Sequence, residues 1–375
     1  MSEYYSIICT KCHAVYPIDR TIWQCPCGGL LDIDIKAKLP LELVTRRKPT
    51  MWRYREVLPI LDDTAIVSFD EGFTPLLKVL WSGRTVFIKQ DYLFPTGSYK
   101  DRGASVLISK VQELGIHEVI EDSSGNAGAA IAAYCARAKI ACHVYVPEHT
   151  SSDKVGQIQA YGAHVHTVKG SREDTAQATL RKAARMYYAS HYWNPFFMHG
   201  TKTFAYEMCE QLDWYAPHAV VVPVGHGTLL IGAYLGFTEL LGAGIISRLP
   251  KIIAVQAERC APCAFAFAKG EDARYEHAYM DTVATGIAIA NPVRKEQIIT
   301  AVHMSDGHFI TVTDAEIMQA LQELCARGFY VEPTAAATIA GLTEYIKDAP
   351  PNEVIITTLT GHGLKTSEQI GELLK

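Results

Sequence analysis

The sequence predicts an α/β protein made of two doubly wound lobes with mainly parallel sheets. Two observations carry that expectation. Short β-branched or apolar runs alternate with helical patterns through the middle of the chain, as parallel sheets require. The 375 residues, 49% of them hydrophobic, suffice for about two domains with a large buried core and exclude a disordered chain.

The strands are expected at Thr85 to Lys89, Glu118 to Glu121, Cys142 to Val146 and His164 to Val168, each a short β-branched or apolar run between turn signals. Between them, Ala104, Leu107, Ile108, Val111 and Leu114 fall at helical spacing, and Ala129 to Ala138 forms the next helix. Asp153 to Tyr161 and the Ala/Arg/Lys-rich Glu173 to Ser190 follow as helices. A second series has a helix at Thr203 to Leu212 and strands at Ala219 to Val222, Lys251 to Gln256 and Glu353 to Thr358. Helices at Asp314 to Arg327, with Asp314 as N-cap, and at Thr334 to Ile346 lie among them. Pro147 and Asn194-Pro195 mark the expected crossings between lobes.

Composition narrows the function classes. With 35 Lys+Arg against 40 Asp+Glu and a net charge of -5, the chain offers no basic field for phosphate backbones, so no nucleic-acid partner is expected. Gly227 to Ile246 is long and carries only Glu239 as a charge. Its five glycines and its place after a β-branched run make it a buried helix and not a membrane span. Met1-Ser2-Glu3-Tyr4 has no basic stretch before an apolar core, so a cytoplasmic location is expected. Ten cysteines there suggest thiols or a metal in place of disulfides.

Four turns carry chemistry. In Pro95-Thr96-Gly97-Ser98-Tyr99-Lys100-Asp101-Arg102-Gly103, Lys100 stands at the first turn of a helix, whose positive end favours the neutral amine that forms a Schiff base. On that segment alone, a solvated lysine beside an Asp-Arg pair fits as well. Asp122-Ser123-Ser124-Gly125-Asn126-Ala127-Gly128 can bind a carboxylate at a helix N-terminus, with Asn126 donating to a phenolic oxygen; a polar capping turn is the alternative. Pro223-Val224-Gly225-His226-Gly227-Thr228-Leu229 has two glycines between strand and helix, suited to a small monophosphate. Thr358-Leu359-Thr360-Gly361-His362 follows the last strand, where a hydroxyl can meet a ring nitrogen. There is no Gly-x-Ser-x-Gly elbow or His-Glu-x-x-His pair, and the fourteen histidines show no metal spacing. Together the four turns describe a pyridoxal phosphate site.

These segments, with Trp52-Arg53-Tyr54, Glu71-Gly72-Phe73-Thr74-Pro75-Leu76 and Thr285-Gly286-Ile287 before Asn291-Pro292, resemble the tryptophan synthase β group of pyridoxal-phosphate enzymes, fold type II, and within it the threonine synthase family. The resemblance runs along nearly the whole chain. It implies that Lys100 binds the cofactor covalently and moves protons at Cα and Cβ, and that Asn126 contacts the ring oxygen. It places the cofactor phosphate on Gly225, His226, Gly227, Thr228 and Leu229, and Thr360 at the pyridine nitrogen. Ser123 and Ser124 receive the substrate carboxylate, and Lys202 binds substrate.

The implied reaction converts O-phosphohomoserine and water to threonine and phosphate. The family usually has an arginine where Phe197 stands and an Asn-Ser pair where His191 and Tyr192 stand; Ala127 replaces a common threonine. These departures leave open β-replacement or β-elimination on another amino acid, such as a cysteate-synthase-like reaction on O-phosphoserine, or a catalytically idle amino-acid-binding homologue. Cys9-x-x-Cys12 and Cys25-Pro26-Cys27 resemble a zinc ribbon found in some family members, so structural zinc on Cys9, Cys12, Cys25 and Cys27 is expected, with reduced thiols as the alternative. Cys260-x-x-Cys263 is expected to pack, not to bind metal. The expected organisation is a ribbon-like arm over 1–34, a large cofactor-binding domain over 35–89 and 195–375, and a small domain over 90–194, assembled as a homodimer.

Overall fold

The computed structural model describes residues 4–150, 152–270 and 281–374. Met1 to Glu3, part of the stretch read for a leader, lie outside them. Thirteen strands run through the described residues: β1 (Tyr5–Cys9), β2 (Val15–Pro17), β3 (Leu31–Ile35), β4 (Leu76–Trp81), β5 (Arg84–Lys89), β6 (Glu118–Glu121), β7 (Ala141–Pro147), β8 (His164–Val168), β9 (Tyr187–Tyr188), β10 (Ala219–Pro223), β11 (Lys251–Ala257), β12 (His308–Val312) and β13 (Ile355–Thr358). The chain divides into two compact units, one of Met1–Phe73 with Lys100–Thr201 and one of Thr74–Tyr99 with Lys202–Lys375.

In the first unit, β6 to β9 form a parallel sheet in the order β8-β7-β6-β9, and β1 to β3 form a small antiparallel sheet in the order β2-β1-β3. Helix Asn126–Ala138 is apolar over most of its length, helix Lys100–Glu113 carries Asp101, Arg102 and Lys110 among its apolar residues, and each buries most of its length. In the second unit, six strands run β12-β11-β10-β13-β5-β4, parallel except for the β4–β5 hairpin. β10 is buried along its whole length and β11 along nearly all of it, which explains their unbroken Val/Ile/Ala runs. Ser82 and Gly83, at φ 44° and 78°, make the two-residue hairpin turn whose twist matches the strands.

The structure departs from the expected elements at four places. The helix expected over Glu173 to Ser190 spans Arg172–Lys182, because Tyr187 and Tyr188 leave it to pair with β6 and bury their rings. Thr313, not Asp314, caps the helix Asp314–Ala326. Its hydroxyl accepts from the Glu316 amide while Glu316 returns a bond to the Thr313 amide. Residues 35–73 and 195–201, expected with the large domain, belong to the first unit, and residues 90–99, expected with the small domain, to the second. Trp52 Nε1 donates to Ser105 Oγ at 3.0 Å and the Val67 amide to Ser109 Oγ at 2.8 Å, tying residues 35–73 to helix Lys100–Glu113. The chain passes between units at Phe73, Tyr99 and Thr201; Pro147, an expected crossing, ends β7 inside the first unit. The stretch read against a membrane span forms the 15-residue helix Thr228–Gly242. Among the described residues no helix is long and apolar enough to cross a membrane.

Candidate active site

Three of the chemistry-bearing turns meet in the second unit, at the carboxyl ends of its strands. Helix Thr228–Gly242 starts directly after β10 through Val224 to Gly227, and no side chain caps it. Gly227 takes φ 77°, and a Cβ there would lie 2.3 Å from Ile298 Cγ1. A Cβ on Gly225 would sit 3.1 Å from both the Gly286 carbonyl oxygen and Ile287 Cα. The Thr285-Gly286-Ile287 segment therefore backs the glycine loop. Gly286 is itself held by the hydrogen bond that its amide donates to Thr334 Oγ1 at 3.1 Å. The result is a backbone cradle at a helix N-terminus that any side chain would fill, which suits an anion.

Segment Thr96 to Tyr99 joins this loop to the turn after β13. Tyr99 shares a hydrogen bond with Thr228 through their hydroxyls at 3.0 Å, and its amide donates to the Thr360 carbonyl at 3.1 Å. The His362 amide donates to Gly97 at 2.9 Å, and Lys365 Nζ to the Thr96 carbonyl at 2.8 Å. Thr360 is thereby fixed beside the residues that lead into Lys100, with its side chain buried. Ser98 Oγ and Thr358 Oγ1 are buried here without a hydrogen-bond partner, as expected of groups that await a polar ligand.

In the first unit, Lys100 is the first residue of helix Lys100–Glu113. Its Nζ lies 5.8 Å from the centre of the Phe197 ring. Helix Pro195–Thr201, which carries Phe197, approaches through two glycines. A Cβ on Gly103 would fall 2.3 Å from Phe197 Cε1, and one on Gly200 2.0 Å from the Arg102 carbonyl oxygen. Asn126 opens helix Asn126–Ala138, and the Ser123 carbonyl curls over its first turn so closely that a Cβ on Gly128 would stand 1.9 Å from that oxygen. Ser123 and Ser124 are half-buried on this turn, with Ser123 Oγ accepting from the Gly125 amide at 3.3 Å.

Beneath it lies a buried polar network that the sequence reading missed. Asp122 accepts from Arg172 and from the Tyr192 hydroxyl, both at 2.8 Å, and Glu121 meets His191 Nδ1 at 2.7 Å. Burial, and then the Asp122 charge, push the Glu121 carboxyl well above the usual range. The available signal was an acidic pair at the end of an apolar strand. Its partners stand 50 to 70 residues away, out of reach of local patterns. His191 and Tyr192, the departures from the family pattern, are members of this network.

Lys202, expected at the substrate, lies in the second unit, fully buried. Its Nζ is 2.8 Å from both oxygens of Glu239, which also accepts from the Tyr206 hydroxyl at 2.6 Å.

The four N-terminal cysteines come together as expected of a ligand set, all Sγ atoms lying within 4.8 Å of one another. Cys9 and Cys27 are 3.5 Å apart, Cys12 and Cys25 3.6 Å, and the Lys11 and Cys12 amides both point at Cys9 Sγ from 3.4 Å. Tyr16 Oη, 3.1 Å from Cys25 Sγ, heads the interactions that draw that thiol down to about 6. A Cβ on Gly29 would intrude to 2.7 Å from Cys9 Sγ, so the turn is shaped around the sulfurs. Cys260 and Cys263 are buried, and burial raises their thiols to about 11 and about 12.

A parallel α/β sheet with a glycine cradle at a helix N-terminus, and a lysine opening another helix, defines a pyridoxal-phosphate enzyme of fold type II. The chain belongs to the pyridoxal-phosphate dependent enzyme family, whose profile matches residues 67–361, and it is a threonine synthase-like member. It is 39% identical to the threonine synthase of Methanocaldococcus jannaschii over 95% of this chain and 92% of that protein. To the threonine synthase of Methanosarcina acetivorans it is 35% identical over 98% and 93%. Among solved structures, an L-serine ammonia-lyase from Rhizomucor miehei shares the fold at a TM-score of 0.70, with 22% identity over 81% of this chain and 98% of that one. The protein is a pyridoxal-phosphate-dependent lyase.

Proposed function

We propose that this lyase acts on O-phosphohomoserine, releasing the γ-phosphate and adding water at Cβ to give threonine. The observation that carries the reading is the meeting of Thr96 to Tyr99 with the Gly225 to Leu229 cradle and the Thr360 turn. Bound pyridoxal phosphate supplies the electron sink for carbanions next to its imine carbon. Gly225, His226, Gly227, Thr228 and Leu229 hold its phosphate with backbone amides and the helix end, Asn126 donates to its ring oxygen, and Thr360 meets its ring nitrogen. A hydroxyl at that nitrogen does not enforce its protonation, which favours elimination and replacement over transamination. Ser123 and Ser124 bind the substrate carboxylate at the start of helix Asn126–Ala138. Lys100 holds the cofactor and moves protons at the substrate's Cα and Cβ.

One observation tells against a phosphate anchored at position 197, and so for a second reading, β-replacement or β-elimination on another amino acid; O-phosphoserine, whose phosphate stands one carbon nearer Cα, is the probe. Phe197 puts an aromatic ring beside Lys100 and can make no charge-assisted bond to a phosphate, while the Lys202 ammonium is held by Glu239. Phosphate release and threonine formation from O-phosphohomoserine decide between the two. No release at saturating substrate, together with turnover of O-phosphoserine, selects the second. Borohydride treatment is expected to fix one cofactor on the wild-type chain and none on Lys100→Ala; fixation on the variant would remove Lys100 from its role.

We also propose one structural zinc on Cys9, Cys12, Cys25 and Cys27, a closed four-thiolate site with no position for substrate. A homodimer in the cytoplasm completes the reading, checked by light scattering and by fractionation.

A further inference from the structure

Asp122 is the last residue before the Ser123-Ser124 turn, and its side chain is fully buried. An aspartate in that position ordinarily bends its carboxylate onto the backbone amide two residues on, or caps the helix that follows. Here it does neither. Oδ2 is taken by Arg172 and the Tyr192 hydroxyl, and among the described residues Oδ1 meets no hydrogen-bond donor and no side chain caps helix Asn126–Ala138. The side-chain oxygen that does accept within the turn belongs to Ser123, which receives the Gly125 amide.

Both partners of Asp122 are themselves held. Arg172 opens helix Arg172–Lys182, whose start is fixed by a capping box: Ser171 Oγ accepts from the Asp174 amide at 3.1 Å, and Asp174 Oδ2 from the Ser171 amide at 2.7 Å. Tyr192 stands in a turn closed by the Asn194 amide on the Ser190 carbonyl at 3.1 Å, and its hydroxyl lies 3.2 Å from that of Tyr188. These anchors are 50 and 70 residues from Asp122 in the chain, so they do not move with the turn that Asp122 precedes. They draw the carboxylate away with one charge-assisted bond and one hydroxyl bond, both of which it would have to break to reach the turn's amides. The consequence is electrostatic. A helix N-terminus attracts a single anion through its amides and dipole, and an aspartate seated there would occupy the amides and repel a second carboxylate.

We infer that Arg172 and Tyr192 are positioning residues that hold the Asp122 carboxylate off the Ser123-Ser124 turn, and so keep the turn open to the carboxylate of the amino-acid substrate. The inference rests on the reading that Ser123 and Ser124 receive that carboxylate. Asp122 is then an internal competitor kept out of its own local site, and the strength of substrate binding depends on two residues that touch no substrate.

The test titrates the full-length, cofactor-loaded protein with L-alanine and with L-alaninamide, which carry a carboxylate and a neutral carboxamide at the group the turn would receive, and reads binding from the cofactor's absorption. Wild type is expected to prefer L-alanine. Arg172→Gln should weaken L-alanine about 10-fold or more while L-alaninamide changes little. Adding Asp122→Ala to Arg172→Gln should restore the preference, because the competing carboxylate is then gone. Tyr192→Phe, which keeps the ion pair, serves should Arg172→Gln fail to fold, and is expected to move the same ratio by less. Residues that only stabilised the unit would weaken both ligands alike. An unchanged ratio in both variants overturns the inference, as does a lost preference that Asp122→Ala leaves lost; if Ser124→Ala alone abolishes the ratio, the carboxylate reading stands without it. No preference in wild type overturns that reading and the inference with it.

Discussion

Gly103 lies where helix Lys100–Glu113 meets the Phe197 ring, and the three nearest ring atoms would stand 2.3, 2.4 and 2.5 Å from an added Cβ. Neither helix can shift freely, since Gly200 brings the same pair together at a second point. Gly103→Ala is therefore expected to cost about 1–3 kcal/mol, read by chemical denaturation, and to disturb Lys100 on the same helix. Adding Phe197→Leu should return part of that loss through a coupling of roughly 0.5–3 kcal/mol. Strict additivity would mean that the ring is not what limits position 103. Lys202 makes a different case. Lys202→Met strands Glu239 with only the Tyr206 hydroxyl, and roughly 3 kcal/mol of stability should go with it. Joining Glu239→Gln to it should recover most of the loss. A substrate-binding lysine would instead raise KM at unchanged stability, so the denaturation midpoint and the KM together assign the residue.

Helix boundaries show which physical signals a sequence carries. Strands β6 and β8 fall where the sequence places them because an apolar run between turn residues has no competing structure. The overrun past Lys182 has the opposite cause. Ala, Arg and Lys favour a helix through Arg185, but pairing with β6 and burial of two tyrosine rings outweigh propensities of a few tenths of a kcal/mol per residue. The site divides in the same way. Its cradle and lysine were legible because each lies within one turn, whereas Glu121 with His191 depends on contacts across 70 residues. The cap of helix Asp314–Ala326 shows how local such errors are. Thr313→Ala should lower stability by about 1 kcal/mol and Thr313→Asp by much less, measured as shifts in denaturation midpoint at constant slope. An equal loss in both would mean that the hydroxyl's capping bond contributes little.

At the scale of the chain, the four-cysteine arm tests how a small element holds its shape. Its three strands are short, and few large apolar side chains lie inside the ribbon. A segment this size rarely folds on burial alone. Two features anchor it in the first unit: Trp23 packs edge-on against Tyr188 and Trp193 at 5.2 and 6.0 Å, and the Tyr5 hydroxyl donates to the Glu56 carbonyl at 2.7 Å. Those contacts fix one side of the ribbon, while Cys12 and Cys27, both exposed, stand 3.6 and 3.5 Å from the sulfurs of Cys25 and Cys9. Four thiols this close repel once they ionise, so the zinc proposed above is the group expected to stabilise the turns. Metal analysis of Cys9→Ser protein is expected to show loss of about one zinc relative to wild type. Chelation of the wild type should lower its melting temperature and change tryptophan fluorescence as Trp23 leaves its aromatic neighbours. The same spectral change without zinc loss would separate the ribbon's packing from any metal, and equal zinc content in wild type and Cys9→Ser would mean that the cysteines do not hold it.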